Sequence, residues 1–559
     1  MKELPMVRHG GQILIDQLAI HGCDRVFCVP GESYLAALDG LHAHNRIQTI
    51  TCRQEGGAAM MADAYGKLTG KPGICFVTRG PGATNASSGV HVAFQDSTPM
   101  ILFVGQVARE AMEREAFQEI DCRRMFGEMA KWVGQIDNIH RIPEYVAHAW
   151  HTALAGRPGP VVLALPEDVL SSQAEVEDAR PAVPVHTGVS AAQTTAVRAM
   201  LDAAERPLIV AGGGGWSAQC ARLIGAFAEA NHIPVCTSFR CQDYIDNRNR
   251  AYVGHTGIAI STALAQAFAD CDLLISVGSR LGELTTRDYG LISIPNPKPK
   301  LIHVHAGAEE LGRVYRPDLA INASANAFLE ALSNIEVANN ERFQAWCETG
   351  RAAFEAELVP EPTPGDVRLE DIICWLRENL PEDAIICSGA GNYSAWIHRY
   401  YTFKDYRTQL APTSGSMGYG VAAAVAAKAT FPHRTVVSIA GDGCFMMTAQ
   451  EMATAVQHSL PVIFIVANNN MFATIRMYQE QRYPGRPSAT SLTNPDFAAM
   501  AASFGAHGER IGSSEQFPAA FARAQAAGRT ALIELPTDPE ALSPRLKMSA
   551  LKPRLIATP

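Results

Sequence analysis

Short apolar runs alternate with alanine-rich stretches along nearly the whole chain, and that alternation leaves few folds open. Runs such as GICFV (73–77), PLIVA (207–211), TVVSIA (435–440) and PVIFIVA (461–467) have the length and composition of buried strands rather than of helices. Stretches such as CARLIGAFAEA (220–230) between them have helical composition. Strand then helix, repeated, predicts βα units wound into parallel sheets with helices on both faces. A chain of 559 residues with 47% hydrophobic composition can bury several cores, and at roughly 150–200 residues per domain it has room for three.

Two stretches interrupt the pattern. Residues 171–193, with EVEDARPAVPVHTG at their centre, and LVPEPTPGD (358–366) contain prolines that disfavour regular structure, and both read as linkers. The expected fold is therefore α/β, with three doubly wound parallel-sheet domains at 1–170, 190–340 and 366–545. The basic, proline-containing tail after Ser543 reads as irregular or as wrapping over a neighbour.

A formal charge of -9 and the lack of a Lys/Arg run argue against nucleic acid as a partner. The amino terminus lacks the pattern of an export signal, and no apolar run reaches the roughly 18 residues needed to cross a bilayer, so a cytoplasmic protein is expected. The 13 cysteines are scattered without CxxC pairs, and they read as small buried hydrophobes in a reducing compartment rather than as zinc ligands or disulfides.

The chemistry concentrates in residues 435–470. TVVSIA and PVIFIVA read as parallel strands joined by a helix over 448–460; Gly441-Asp442-Gly443 follows the first strand and Asn468-Asn469-Asn470 ends the second. A right-handed crossover brings Asp442 and Asn469 to the carboxyl ends of both strands, the edge where open α/β sheets bind ligands. A carboxylate and an amide oxygen form part of a Mg²⁺ shell that a diphosphate would complete, and amides near the next helix start suit an anion. Either half alone reads as an ordinary turn; the pair points to a metal-diphosphate anchor. In the middle region, AGGGGWS (211–217) reads equally as a plain strand-to-helix turn or as a nucleotide site. In the first region, Glu55 of RQEGGAAMMADAYGK follows a strand and opens a helix, where a carboxylate commonly complements the helix dipole.

The 441–469 segment closely resembles the thiamine diphosphate signature, GDG followed by NN, and a resemblance to the acetolactate synthase family extends over almost the whole chain. That family implies pyrimidine-binding, central and diphosphate-binding domains, a homodimer or homotetramer, and active sites shared between subunits. The resemblance makes Asp442, Asn469 and the Met471 carbonyl Mg²⁺ ligands, with Gly441, Gly443 and Cys444 beside the diphosphate. It gives Glu55 a hydrogen bond to N1′ of the aminopyrimidine, where a carboxyl group favours the imino tautomer that activates the thiazolium carbon. In PTSGSMGYG (412–420), Met417 would prop the cofactor rings into a V, while the Gly415 carbonyl and the Met417 amide hold the pyrimidine. In SGAGNYSAW, Asn392 and Tyr393 match a diphosphate-contacting loop. In GQVAREAMEREAFQE, Phe117 and Gln118 fall near the reacting carbon with Arg109 close by, and Lys131 matches a further substrate-side lysine.

Three departures concern substrate and flavin. Glu32-Ser33 replaces the family's Gly-Ala beside the reacting carbon; Ala473 and Tyr478 replace Gly and Trp after the NN pair. Of the family's flavin contacts, Arg280 is kept but its following aspartates are not, and His305 with Ala306-Gly307 stands where an acid is expected, leaving FAD open. The implied reaction is a transferase-type carboligation: a 2-oxo acid loses CO₂ and its remaining fragment joins a second carbonyl. The alternatives are a non-ligating decarboxylase or C–C lyase, and a catalytically silent scaffold. Gln118, and Ser97 where the benzoylformate decarboxylase group leads one to expect a histidine, favour ligation.

Overall fold

The computed structural model describes residues 7–552. Residues through Val185 form one compact unit, and His186 onward forms a second, apart from Val425–Thr430, which group with the first. Each main sheet is six-stranded and parallel; the inner strands are short and apolar as the sequence pattern requires, while edge strands such as Gln48–Thr51 and His507–Arg510 are polar.

In the first unit the strands lie in the spatial order Gln48–Thr51, Arg25–Cys28, Gly73–Val77, Met100–Gln106, Pro160–Pro166, Trp132–Gln135. Gly73–Val77 and Met100–Gln106 are buried throughout, because helices cover both faces. Of the interrupted stretch 171–193, Gln173–Glu175 is a strand after all, antiparallel to Val7–His9. Polar side chains can supply a ladder when it sits at the surface; the stretch then stays irregular until Ser190 caps the helix Ala191–Ala203.

The second unit holds two such sheets. The central one runs Tyr252–His255, Val235–Thr237, Pro207–Ala211, Leu273–Val277, Lys300–His305, Leu319–Asn322. The other runs Gln409–Leu410, Ile385–Ser388, Val436–Gly441, Ile463–Asn468, Ala531–Pro536, His507–Arg510. Val436–Gly441 and Ile463–Asn468 are neighbours, with Gly441 opposite Ala467. The helix between them is shorter than its pattern suggests, Glu451–Gln457, and is preceded by tighter turns in which the Glu451, Met452 and Ala453 amides reach the Thr448, Ala449 and Gln450 carbonyls; Thr448 also gives its hydroxyl to the Gly418 carbonyl at 2.7 Å. The tail after Ser543 begins in order: Leu546–Lys547 pairs with Ala541–Ser543. Residues 553–559 lie outside the described chain, and with them the rest of that expectation.

Candidate active site

Beyond Gly441 the chain turns at once into the short helix Asp442–Phe445, where a plain turn was expected, with Gly441 in the capping position. Gly443 has no room for a side chain: a Cβ there would stand 2.4 Å from the Phe472 ring. Asp442 is 2% exposed. Its Oδ1 accepts the Gly443 amide at 2.8 Å and its Oδ2 accepts Asn494 Nδ2 at 2.7 Å. Burial pushes the Asp442 carboxyl above its usual range, opposed by those donors. The same Asn494 nitrogen reaches Asn468 Oδ1 at 2.9 Å and Asn470 Oδ1 at 3.3 Å, so three oxygens from two strand ends converge on one donor. Asn469 Oδ1 accepts the Met471 amide at 3.2 Å.

Asp442, Gly443, Asn469 and Met471 open onto a cleft of about 260 Å³, which Asn468, Asn470 and Asn494 do not line. Of the residues assigned above to cofactor or metal, those of the third sheet all line it: Asp442, Asn469 and Met471; Gly441, Gly443 and Cys444; Asn392 and Tyr393; Gly415 and Met417; Glu55, in the first unit, is not among the lining residues. Cys444 is the hinge of this wall. Its Sγ lies 3.3 Å from Tyr393 Oη and accepts the Gly418 amide at 3.3 Å, while Tyr393 Oη accepts the Gly389 amide at 2.9 Å. Asn392 Oδ1 accepts the Thr474 hydroxyl at 2.8 Å, tying the loop to the helix Ala473–Arg482. The first turn of that helix lines the cleft; Tyr478 is not among the lining residues and is 46% exposed. Among the described residues no three His, Cys, Asp or Glu side chains gather as metal ligands. A cation here would rest on one carboxylate plus amide, carbonyl and phosphate oxygens, as Mg²⁺ does. The buried acid, the convergent oxygens and the close-packed glycines fit a Mg²⁺-diphosphate group.

In the first unit, four expected residues converge on the turn from strand to helix at Thr78–Gly82, where Gly80 already starts the helix Gly80–Asp96. Ser33 Oγ lies 2.9 Å from Thr78 Oγ1. Glu32 Oε1 stands 3.6 Å from the buried Arg79, which also pairs with Glu167. The Gln118 carbonyl accepts the Gly80 amide at 2.8 Å, and its Oε1 is buried without a hydrogen-bond partner. Glu55 opens the helix Glu55–Thr69; its Oε2 accepts Asn85 Nδ2 at 2.9 Å, and its Oε1 lies 3.5 Å from where Gly82 would carry a Cβ. Phe117 beside them is 73% exposed. Arg109 stands apart, on Asp168 at 2.7 Å and the Asp137 carbonyl.

Lys131 is placed elsewhere in the first unit. It precedes the strand Trp132–Gln135 and so lies at the amino edge of the sheet, away from Glu55 and Gln118. Its ammonium caps the helix Ile142–Leu154, donating to the Thr152 and Ala155 carbonyls at 2.5 Å each. A lysine's chemistry follows from which strand end it occupies, and the local motif AKW does not encode that.

Asn494, Asn85 and the Thr78–Gly82 turn were missed. Of these only TRGPG carries a sequence signal, as a Gly-Pro-Gly break after an apolar run.

Of the glycines 212–215, the first two are held by close packing. A Cβ on Gly213 would stand 1.9 Å from the Gly278 carbonyl, so the loops at the central sheet's switch point pack backbone to backbone. Trp216 and Tyr244 occupy the Gly212 and Gly213 carbonyls, and Ser217 caps the following helix. Next to them, His305 Nδ1 accepts the Gly307 amide at 3.0 Å.

Three parallel α/β sheets and a cleft at a strand edge, with a buried acid and close-packed glycines in its wall, define a class. The chain belongs to the thiamine pyrophosphate enzyme family: it matches the N-terminal TPP binding domain over 8–125, the central domain over 194–332 and the C-terminal TPP binding domain over 389–535. Within that class it is similar to acetolactate synthase large subunits. Acetolactate synthase isozyme 2 large subunit of Escherichia coli (strain K12) is 30% identical over 92% of this chain and 92% of its own length. The large subunits of Parasynechococcus marenigrum (strain WH8102) and Lactococcus lactis subsp. lactis (strain IL1403) are 32% and 31% identical, over 91% and 89% of this chain and 84% and 87% of theirs. No helix among the described residues is long and apolar enough to cross a membrane.

Proposed function

We propose that this thiamine-diphosphate enzyme is a carboligase that takes a 2-oxo acid, releases CO₂ and joins the remaining fragment to a second carbonyl. The observation that carries the reading is the cleft in which Asp442 and Asn469 end neighbouring strands, in a chain similar throughout to acetolactate synthase large subunits. When bound, thiamine diphosphate supplies the carbon nucleophile and the electron sink for decarboxylation.

In this reading Asp442, Asn469 and the Met471 carbonyl hold Mg²⁺, and Gly441, Gly443, Cys444, Asn392 and Tyr393 receive the diphosphate. Gly415 and Met417 hold the aminopyrimidine, and Glu55, steadied by Asn85, hydrogen-bonds N1′. Gln118, with Oε1 unsatisfied, and Phe117 face the reacting carbonyl, with Glu32, Ser33, Arg109 and Tyr478 on the substrate side. The working form is an oligomer of this chain with shared active sites. The reading assigns no step of the reaction to a flavin.

Ligation is supported by the relatives and by the cleft wall, in which no histidine appears among the described residues. The exposed Glu32 carboxylate favours the second reading, a decarboxylase, because an acid beside the reacting carbon can return a proton in place of a second carbonyl. Incubating the protein with thiamine diphosphate, Mg²⁺ and a panel of 2-oxo acids, with products identified by mass, separates the two. An acetohydroxy acid or 2-hydroxy ketone supports ligation; an aldehyde alone sinks it.

A further inference from the structure

The segment 239–247 lies between the strands Val235–Thr237 and Tyr252–His255 of the central sheet, yet its hydrogen bonds run to loops of the neighbouring one. Arg240 Nη1 donates to the Pro412 carbonyl and Nη2 to the Gly389 carbonyl, each at 2.6 Å. The Gln242 amide donates to Gln409 Oε1 at 2.8 Å, and its side chain donates to the His398 carbonyl at 2.9 Å. Asp243 Oδ2 accepts the Thr408 and Gln409 amides at 3.0 and 3.1 Å. Asn247 exchanges bonds with Phe403, its amide reaching the Phe403 carbonyl and its Oδ1 accepting the Phe403 amide, both at 2.9 Å.

Arg240 occupies the decisive point of this clasp. Gly389 starts the loop that leads to Asn392 and Tyr393, and Pro412 starts the one that leads to Gly415 and Met417; both loops wall the cleft. The arginine is 5% exposed and sits at φ +61°, a backbone shape that side-chain-bearing residues adopt only when their surroundings enforce it. A planar guanidinium presents several donors in a fixed fork, so it can hold two carbonyls at a set separation, which a point-charge ammonium cannot.

We propose that Arg240 is a positioning residue for the cofactor: its fork sets the spacing of the Gly389–Tyr393 and Pro412–Met417 loops, and so of the diphosphate and aminopyrimidine ends of the cleft. The inference rests on the cofactor roles proposed for those loops. It gives the central domain a task in cofactor binding without any contact to the cofactor.

The test compares wild type with Arg240→Lys and Arg240→Gln. Thiamine diphosphate binding is measured calorimetrically at saturating Mg²⁺, and amide hydrogen exchange is measured with no cofactor present. Both variants are expected to bind thiamine diphosphate about tenfold or more weakly, the scale of one lost charge-assisted hydrogen bond. In both, amides of 389–393 and 412–418 exchange faster while Val436–Gly441 and Ile463–Asn468 exchange as in wild type. Should Arg240→Gln not fold, Arg240→Lys decides alone. Wild-type affinity in Arg240→Lys, unchanged exchange in both loops, or faster exchange spread through the whole sheet overturns the proposal. Failure of the cofactor reading would show separately, as no binding by the wild type, because the exchange measurement reads the clasp without cofactor.

Discussion

Asn494 Nδ2 lies 2.7 Å from Asp442 Oδ2, placing a neutral amide donor against the buried carboxylate that faces the cleft. The amide and a cation want the same oxygen. Asn494→Ala should therefore cost about 1–3 kcal/mol in cofactor-free protein, the penalty of leaving a buried charged acceptor short of a donor. Thermal unfolding should show a lower midpoint than wild type, and the gap should narrow with saturating Mg²⁺ and thiamine diphosphate. A gap that stays constant would remove Asn494 from this role.

Asp442→Ala tests the anchor itself. Outer partners of a metal ligand are worth about 10–100-fold in affinity, and a direct ligand more. Thiamine diphosphate affinity at fixed Mg²⁺ should fall by about a hundredfold or more; wild-type affinity would take Asp442 out of the metal shell.

Glu55→Gln separates binding from chemistry. The amide keeps the shape of the side chain and loses the carboxylate, so cofactor affinity should hold while turnover drops by about 10²–10⁴, the usual weight of a positioned acid-base group. Steady-state kinetics beside a binding titration reads both, and equal turnover refutes the assignment.

Burial holds the Asp243 carboxyl up at about 6, above the roughly 3.9 of an unfolded chain. Between those values the folded protein binds a proton that the unfolded chain does not. This site's contribution to stability is thus fullest at low pH and declines as pH rises through 6. Asp243→Asn does not titrate, so its thermal midpoint should gain on wild type between about pH 5 and pH 8. A difference independent of pH contradicts the assignment.

The three sheets and the placement of Asp442 and Asn469 were legible because both follow from local pattern: short apolar strands, a crossover of fixed hand, and polar residues just past the strand ends. Glu55 was legible as a residue at a strand-helix junction, and its role only through likeness to a family. Asn494, Asn85 and Arg240 were not. Their partners lie 52, 30 and 149 residues away, and nothing in an isolated asparagine or arginine announces a contact made by the folded chain. Lys131 shows the converse, since its motif was matched while the edge of the sheet it occupies went unread. Tyr478 marks the same limit: on a helix, one step of rotation decides between cleft and solvent.

The small ladder between Val7–His9 and Gln173–Glu175 has a consequence for how such a chain is assembled. It brings the start of the first domain beside its finish. A module whose ends meet can be excised, duplicated or spliced into another polypeptide without tearing its interior, because the host need only offer two adjoining attachment points. The first domain thus comes close to a transferable cassette, with Val425–Thr430 as the segment from farther along the chain that groups with it and would have to travel too.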